Sequence, residues 1–198
     1  MAWHPMDSTL VYRLWMAPFA GKKLAPMMRH TDRPSIRRVL DVGCGPGTNA
    51  PYFADCEYLG VDINPGYIAD ATRRFGPKFR VADVTAMRLE PGQGYDCVLA
   101  NSLLHHLPDD AVDPLLSHLV TLLAPGGAVH VIELVLPERP TIPHALARLD
   151  RGRYPRALAR WREIFEAHFA PVVFEPFPVG IGSLAIWDMV YFQGRRPR

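Results

Sequence analysis

The chain has 198 residues, which suits one domain of ordinary size and leaves no room for a second full one. Hydrophobic residues make up 48% and charged residues 21%, so a real core can form. The net charge of +2, from 22 Lys+Arg against 20 Asp+Glu, is too balanced to make nucleic acid the main partner. Basic residues do gather at both ends, as Lys22, Lys23 and Arg29 and as Arg195, Arg196 and Arg198; the second group reads as a solvated tail. The three cysteines, Cys44, Cys56 and Cys97, give neither an even disulfide framework nor a Cys-x-x-Cys metal spacing. No secretory leader and no apolar stretch of membrane-spanning length is visible. A soluble, cytoplasmic protein without stable membrane insertion is expected.

In chain order, Thr9 to Arg29 is expected to be partly helical, interrupted by Pro18, Gly21 and Pro26. Arg38 to Val42 reads as a buried strand that stops at glycines. Thr48 to Ala54 follows as a short helix that tolerates Pro51 in its first turn. Tyr58 to Ile63 is a second strand, and Ile68, Ala71, Thr72 and Phe75 then fall at helical spacing. Phe79 to Val84 is a third strand, and Tyr95 to Ala100 a fourth, apolar in the manner of a buried parallel strand. Leu115, Leu116, Leu119, Leu122 and Leu123 line one side of a helix stopped by Pro125-Gly126-Gly127, and Ala128 to Leu136 is a fifth strand. After Leu136 the pattern loosens. Pro137, Pro140 and Pro143 break up a loop. Helices are expected over His144 to Leu149 and Pro155 to Phe169, then strands over Val172 to Phe174 and Ile186 to Phe192.

Alternation of strand and helix predicts an α/β fold with helices on both faces of a parallel sheet. Ligands of such sheets bind beyond the carboxyl ends of the strands, where strand order reverses. The run Asp41-Val42-Gly43-Cys44-Gly45-Pro46-Gly47 lies at such a strand end. Glycines there let a backbone approach a ligand without side-chain obstruction. The spacing is Gly-x-Gly-x-Gly with Thr48 next, which departs from the Gly-x-Gly-x-x-Gly of dinucleotide enzymes, and no Gly-Lys-Ser/Thr of a triphosphate loop is present.

The acid followed by Gly-x-Gly-x-Gly resembles the first signature of class I S-adenosylmethionine-dependent methyltransferases. Four further elements appear in the order that family shows: Asp62, Asp83-Val84, Asn101-Ser102-Leu103, and Leu123 to Gly127. The resemblance covers residues 36–136. It implies a single-domain, Rossmann-like three-layer sandwich whose seven-stranded, mostly parallel sheet has an antiparallel last strand, with an N-terminal helical lid. The chain would divide into a lid (1–35), a cofactor-binding core (36–136), a substrate cap with the last helix (137–170) and final strands (171–198).

By that resemblance, Asp41 positions the amino end of the methionine moiety, and Gly43, Cys44, Gly45 and Gly47 make room for it. Asp62 takes the ribose hydroxyls, with Ile63 beside it. Asp83 lies near the adenine amino group and Val84 against its ring. Asn101 and Ser102 close the pocket near the methyl. Asp83 reads equally as a turn former. Tyr12 and Trp15 are candidates to cover the cofactor, or core aromatics. His105 and His106 follow the fourth strand, where a base for a protonated acceptor belongs; a packed turn is the plainer alternative. Arg151 and Arg153 are candidates to grip an anionic acceptor, or parts of a solvated loop. Met16, Met27, Met28, Trp15 and Phe19 offer an apolar surface, or lid packing. No catecholate-type metal site is evident, so no metal is expected. The expected acceptor is a small molecule, with oxygen favoured and carbon or nitrogen open, because Asn101-Ser102-Leu103-Leu104 lacks the Pro-Pro-aromatic run common in members that methylate nucleic acids or amides. The rivals are a nicotinamide-dependent oxidoreductase, which needs glycine where Thr48 stands, and a non-catalytic protein that keeps the cofactor as a ligand.

Overall fold

A computed structural model of the chain describes residues 17–86, 94–150 and 152–197. Among these, seven strands form one sheet: β1 (Arg38–Val42), β2 (Glu57–Asp62), β3 (Phe79–Val81), β4 (Tyr95–Asn101), β5 (Leu123–Leu134), β6 (Ala170–Ile181) and β7 (Leu184–Arg195), in the order β3-β2-β1-β4-β5-β7-β6. The first five pair in parallel, and β7 runs antiparallel to both its neighbours, so it alone opposes the other six. The expected mixed sheet with an antiparallel last strand is present. Strand order reverses between β1 and β4, which places a ligand crevice at their carboxyl ends.

The helices are α1 (Ala20–His30), α2 (Pro65–Phe75), α3 (Asp109–Thr121), α4 (Ile142–Leu149) and α5 (Leu158–His168). Each starts for a local reason where one is visible. Asn64 caps α2 by accepting from the Gly66 and Tyr67 amides, Pro65 occupies its first turn, and Gly76 ends it with φ +87°. Two apolar clusters flank the sheet. One sets α3 and α5 on it through Leu115, Leu116, Leu119, Trp161 and Phe165. The other sets α1 and α4 on the opposite face through Leu24, Met27 and Ala147, against Trp187, Met189 and Tyr191. Met27 is fully buried and Phe19 meets Trp187 edge-on at 5.0 Å, so both belong to the core rather than to an acceptor surface. Residues 1–16, which hold Tyr12, Trp15 and Met16, lie outside the described residues, as does Arg151.

Several boundaries differ from the sequence expectation. β3 ends at Val81, so Asp83 and Val84 stand in the turn beyond it. Asp83 itself makes that turn: its carboxylate accepts from the Thr85 amide at 2.9 Å and hydroxyl at 2.7 Å. The stretch after the glycines is a series of turns and one 3-10 segment, Ala50–Phe53, because Pro51 supplies no amide to an α-helical ladder. β5 starts at Leu123 and carries Pro125-Gly126-Gly127 as an irregularity, pairing Leu123 with Tyr95 and then Ala128 with Cys97. α5 starts three residues after Pro155, because Arg156 instead bridges to Val135. β6 is far longer than Val172 to Phe174. It contains Pro171, Pro176 and Pro178, which the outermost strand of a sheet accommodates.

Candidate functional site

β1 and β2 bring their carboxyl ends together through the glycine run. The Gly43 and Cys44 amides both donate to the Val61 carbonyl, at 2.8 and 3.0 Å. The Gly45 amide donates to the Asp62 carboxylate at 2.9 Å, and the Asn64 amide donates to its other oxygen at 2.8 Å. Asp62 thus fixes the loop in addition to any ligand role. Gly43 has φ +71°, and a Cβ there would stand 2.8 Å from Leu103, so both conformation and space require glycine. The side chain of Ile63, next to Asp62, is left largely in solvent, 67% exposed. Val84 is partly buried against the α3–α5 cluster.

A cleft of about 350 Å³, counted with its space open to solvent, lies at the ends of β1 and β4. It is lined by Ala20, Lys23, Gly43, Cys44, Thr48, Asn49, Asn101 and Ser102. Four of these were candidates from the sequence. A hydrogen-bonded chain runs along its polar side. The Lys23 ammonium donates to the Ser102 hydroxyl at 3.0 Å, which donates to the Asn101 carbonyl oxygen at 3.2 Å. The Asn101 amide donates to Asn49 at 3.1 Å, and the Asn49 amide donates to Asp41 at 3.0 Å. The Tyr58 hydroxyl donates to the same Asp41 oxygen. Ser102 has φ +57°, the one non-glycine residue with positive φ among those described, a conformation that stores strain at the turn after β4.

Asp41 is fully buried, and its second oxygen has no hydrogen-bond partner among the described residues. Burial pushes its pKa up to about 7, against the stabilising bonds from Tyr58 and Asn49. Lys23 is buried as well, 6% exposed, and burial draws its pKa down to about 8 against the pull of Glu133 and Asp150. Burial, aided by Asp41, holds the Cys44 thiol far above its ordinary pKa, so no thiolate forms there.

His105 lies on the other side of the same turn. Its Nδ1 meets Glu133 at 2.6 Å and its Nε2 meets Asp150 at 3.2 Å. Burial alone would lower the imidazole pKa, but the two carboxylates overcome it and raise it to about 9. Glu133 resists burial in the same way and is held below its ordinary pKa by His105. Its second oxygen accepts the Leu103 amide at 2.8 Å and the Leu104 amide. Asp150 also accepts the Gly152 amide at 2.8 Å, and the Tyr154 amide donates to the His105 carbonyl at 2.9 Å. Gly152 sits so close that a Cβ would fall 2.0 Å from the His105 ring. The buried Arg156 completes the knot by donating to the Leu104 and Leu107 carbonyls, at 3.1 and 2.8 Å, and to Asp109 at 2.7 Å. His105, His106 and Asp150 offer ligand atoms within 4.8 Å of one another. Of these, His105 and Asp150 already face each other at 3.2 Å, as part of the Glu133–His105–Asp150 ion triad.

Sequence reading missed Lys23, Asn49, Tyr58 and Glu133 as parts of these networks. Glu133 carried a signal, as an acid inside the apolar run Val129 to Leu134; Lys23 carried none that separates it from Lys22.

Residues 39–127 match the family model described as a methyltransferase domain. An uncharacterized methyltransferase of Mycobacterium tuberculosis is 33% identical over 144 residues, covering 70% of this chain and 69% of the relative. A trans-aconitate 2-methyltransferase of Methylobacterium nodulans is 38% identical over 125 residues, 61% of this chain and 46% of the relative. The chain thus spans about half the length of those trans-aconitate relatives. Among solved structures, the N-methyltransferase NodS of Bradyrhizobium japonicum with S-adenosyl-L-homocysteine superposes with a TM-score of 0.73 at 18% identity, over 94% of this chain and 92% of that one. Human N-acetylserotonin methyltransferase with S-adenosylmethionine gives 0.68 at 18% identity, over 94% and 56%. With the glycine run, the strand order and a relative matched over two thirds of its length, the chain belongs to the class I, Rossmann-like S-adenosylmethionine-dependent methyltransferases.

Proposed function

We propose that this chain transfers a methyl group from S-adenosylmethionine to an oxygen of a small acceptor, most simply the carboxylate of an organic acid. The observation that carries the reading is the cleft at the strand-order switch point, whose polar chain ends on the buried carboxylate of Asp41. The residues fit the donor: a glycine cradle, the acids Asp41 and Asp62 at successive strand ends, and the apolar Ile63 beside them. When bound, the sulfonium supplies an electrophilic methyl with an excellent leaving group. The chain's part is to align the acceptor and exclude water. Asp41 acts on the cleft through Asn49, while Asn101 and Ser102 present polar groups at the end of β4. The small-acid acceptor is supported by the name of the trans-aconitate relatives.

A carboxylate is already ionised near neutral pH, so its methylation needs no general base. That agrees with His105, whose two nitrogens are committed to carboxylates. We assign His105 a positioning role; His106, its neighbour, is the candidate base only for an acceptor that arrives protonated. Asp83, engaged in its own turn, stands as an adenine contact only through its exposed face. The setting we infer is cytoplasmic, without nucleic acid as partner. Among the described residues no helix is long and apolar enough to cross a membrane.

Calorimetry with S-adenosylmethionine, followed by a product assay for S-adenosylhomocysteine across small acids, phenols and amines, tests the reading. Binding and turnover with an acid such as trans-aconitate are expected. No binding at millimolar donor to folded protein overturns it, and turnover restricted to amines overturns the oxygen acceptor. Binding without turnover on any acceptor favours a protein that only keeps the donor.

A further inference from the structure

We propose that the cleft contains a carboxylate subsite on Lys23: a ligand bound there places a carboxylate on this ammonium, beside Ser102. The inference deepens the methyl-transfer reading, which supplies the two sources of such a group. One is the amino-acid end of the methyl donor and the other is an acidic acceptor.

An ammonium has three donors, and among the described residues Lys23 spends one, on the Ser102 hydroxyl. The Trp187 ring faces it at 5.8 Å. Among the described residues no carboxylate stands within ion-pair distance. The two acids that act on it through space, Glu133 and Asp150, are both bound to His105. Lys22 shows how a surface lysine behaves on the same helix: it stays exposed and reaches the Gly180 carbonyl. Lys23 is turned inward instead, and its side chain is part of the cleft wall. A buried cation without a counter-ion is costly, and sites that carry such a cost regain it from a ligand of opposite charge.

The chemistry of the surroundings selects the anion. The other polar lining groups, Asn49, Asn101, Thr48 and Ser102, are neutral. Asp41 lies one hydrogen bond beneath the floor, and Asp62 holds the adjoining glycine loop. Among the described residues the cleft offers one cation, with Asp41, Asp62, Glu133 and Asp150 around it, which suits a single monoanionic group and opposes a phosphate dianion. A carboxylate also matches the geometry, since one oxygen can take an ammonium donor while the other takes the second hydrogen of an Asn side-chain amide, of which Asn101 and Asn49 each spend one.

The test is a set of titrations on wild type, Lys23→Met and Lys23→Arg. The probes are S-adenosylhomocysteine, its analogue lacking the carboxylate, and trans-aconitate with and without saturating S-adenosylhomocysteine. Methionine suits a buried stem and leaves the fold intact, which circular dichroism checks. In Lys23→Met, the carboxylate-bearing probe that uses the subsite weakens about 10–100-fold, while the analogue is unchanged; Lys23→Arg keeps most of the affinity. Loss confined to S-adenosylhomocysteine identifies the donor's carboxylate, and loss confined to trans-aconitate identifies the acceptor's. Unchanged affinity for every probe overturns the subsite. Equal loss for S-adenosylhomocysteine and its analogue also overturns it, because the effect then ignores the carboxylate. Wild type that takes trans-aconitate but no nucleoside overturns the methyl-donor reading and leaves the lysine to be judged on the acid. Wild type that takes none of the probes overturns both.

Discussion

Two buried polar networks meet at the turn after β4, and they differ in how completely they are satisfied. The Glu133–His105–Asp150 triad is closed. Both imidazole nitrogens face carboxylates, Glu133 takes the Leu103, Leu104 and Leu134 amides as well, and none of its oxygens is without a partner. Among the described residues the Lys23–Ser102–Asn101–Asn49–Asp41 chain is open at both ends, on an ammonium with unspent donors and on a carboxylate whose other oxygen has no partner. A satisfied network rigidifies its surroundings, whereas an unsatisfied one keeps an energetic debt that a ligand can settle. Titratable groups beside a crevice therefore divide by their remaining valence and not by residue type. The histidine that sequence position favours for chemistry belongs to the closed set, and a lysine it did not single out belongs to the open one.

The contrast breaks most visibly at Glu133. Glu133→Ala strands a buried His105 and is expected to cost about 3–5 kcal/mol in denaturant unfolding. S-adenosylhomocysteine affinity of the protein that remains folded should change by less than about threefold. Matching losses in stability and affinity would merge the two networks into one.

Acidity sharpens it next. His105 has a folded pKa of about 9 against an ordinary 6.5, so its contribution is fully present below pH 6.5 and is lost as pH rises through 9. Lys23, with a folded pKa of about 8 against 10.5, works the other way, because its buried charge is a cost that fades as pH rises from 8 to 10.5. In wild type the two partly cancel. In Lys23→Met that opposition is gone, and above the Asp41 titration the unfolding free energy should fall by about 2–3 kcal/mol between about pH 7 and 9.5. A flat profile in that variant means the triad is not ionised.

Asp41→Asn should move stability and binding in opposite directions. An acid whose pKa is raised to about 7 destabilises the fold as pH climbs from 4 to 7, and the amide removes that cost. The ligand-free unfolding midpoint is expected to rise by about 2–4 °C, while affinity for S-adenosylmethionine drops about tenfold or more. A midpoint that falls instead shows the carboxylate to be structural.

The smallest effect belongs to Asp83. As a turn former it should cost under about 1 kcal/mol on replacement by alanine, with binding reduced about threefold or less. A tenfold loss of donor affinity at unchanged stability makes it an adenine contact.

The regions readable from the sequence were those where one local rule fixes the outcome. The strand ends at Val42 and Asp62, the glycine run, the helical spacing of Ile68, Ala71, Thr72 and Phe75 in α2 and the α5 helix each follow from spacing within a few residues. What stayed hidden depends on contacts between distant segments. Lys23 and Ser102 are 79 residues apart, and His105 and Glu133 are 28 apart, so no window of sequence joins them. The long final hairpin was hidden for another reason. Its prolines argue against a strand until the strand is known to lie at the border of the sheet.

Those prolines bear on how the molecule behaves in a crowd. A sheet border is a template onto which another chain can hydrogen-bond, and growth of that kind leads to aggregates. Here one border is β3, three residues long, which offers little to grip. The other is β6, whose Pro171, Pro176 and Pro178 lack amide hydrogens and whose pairing with β7 is twice irregular. Residues that weaken the prediction of this strand thus protect the finished sheet, and replacing Pro176 and Pro178 by valine is the simplest way to make the protein sticky.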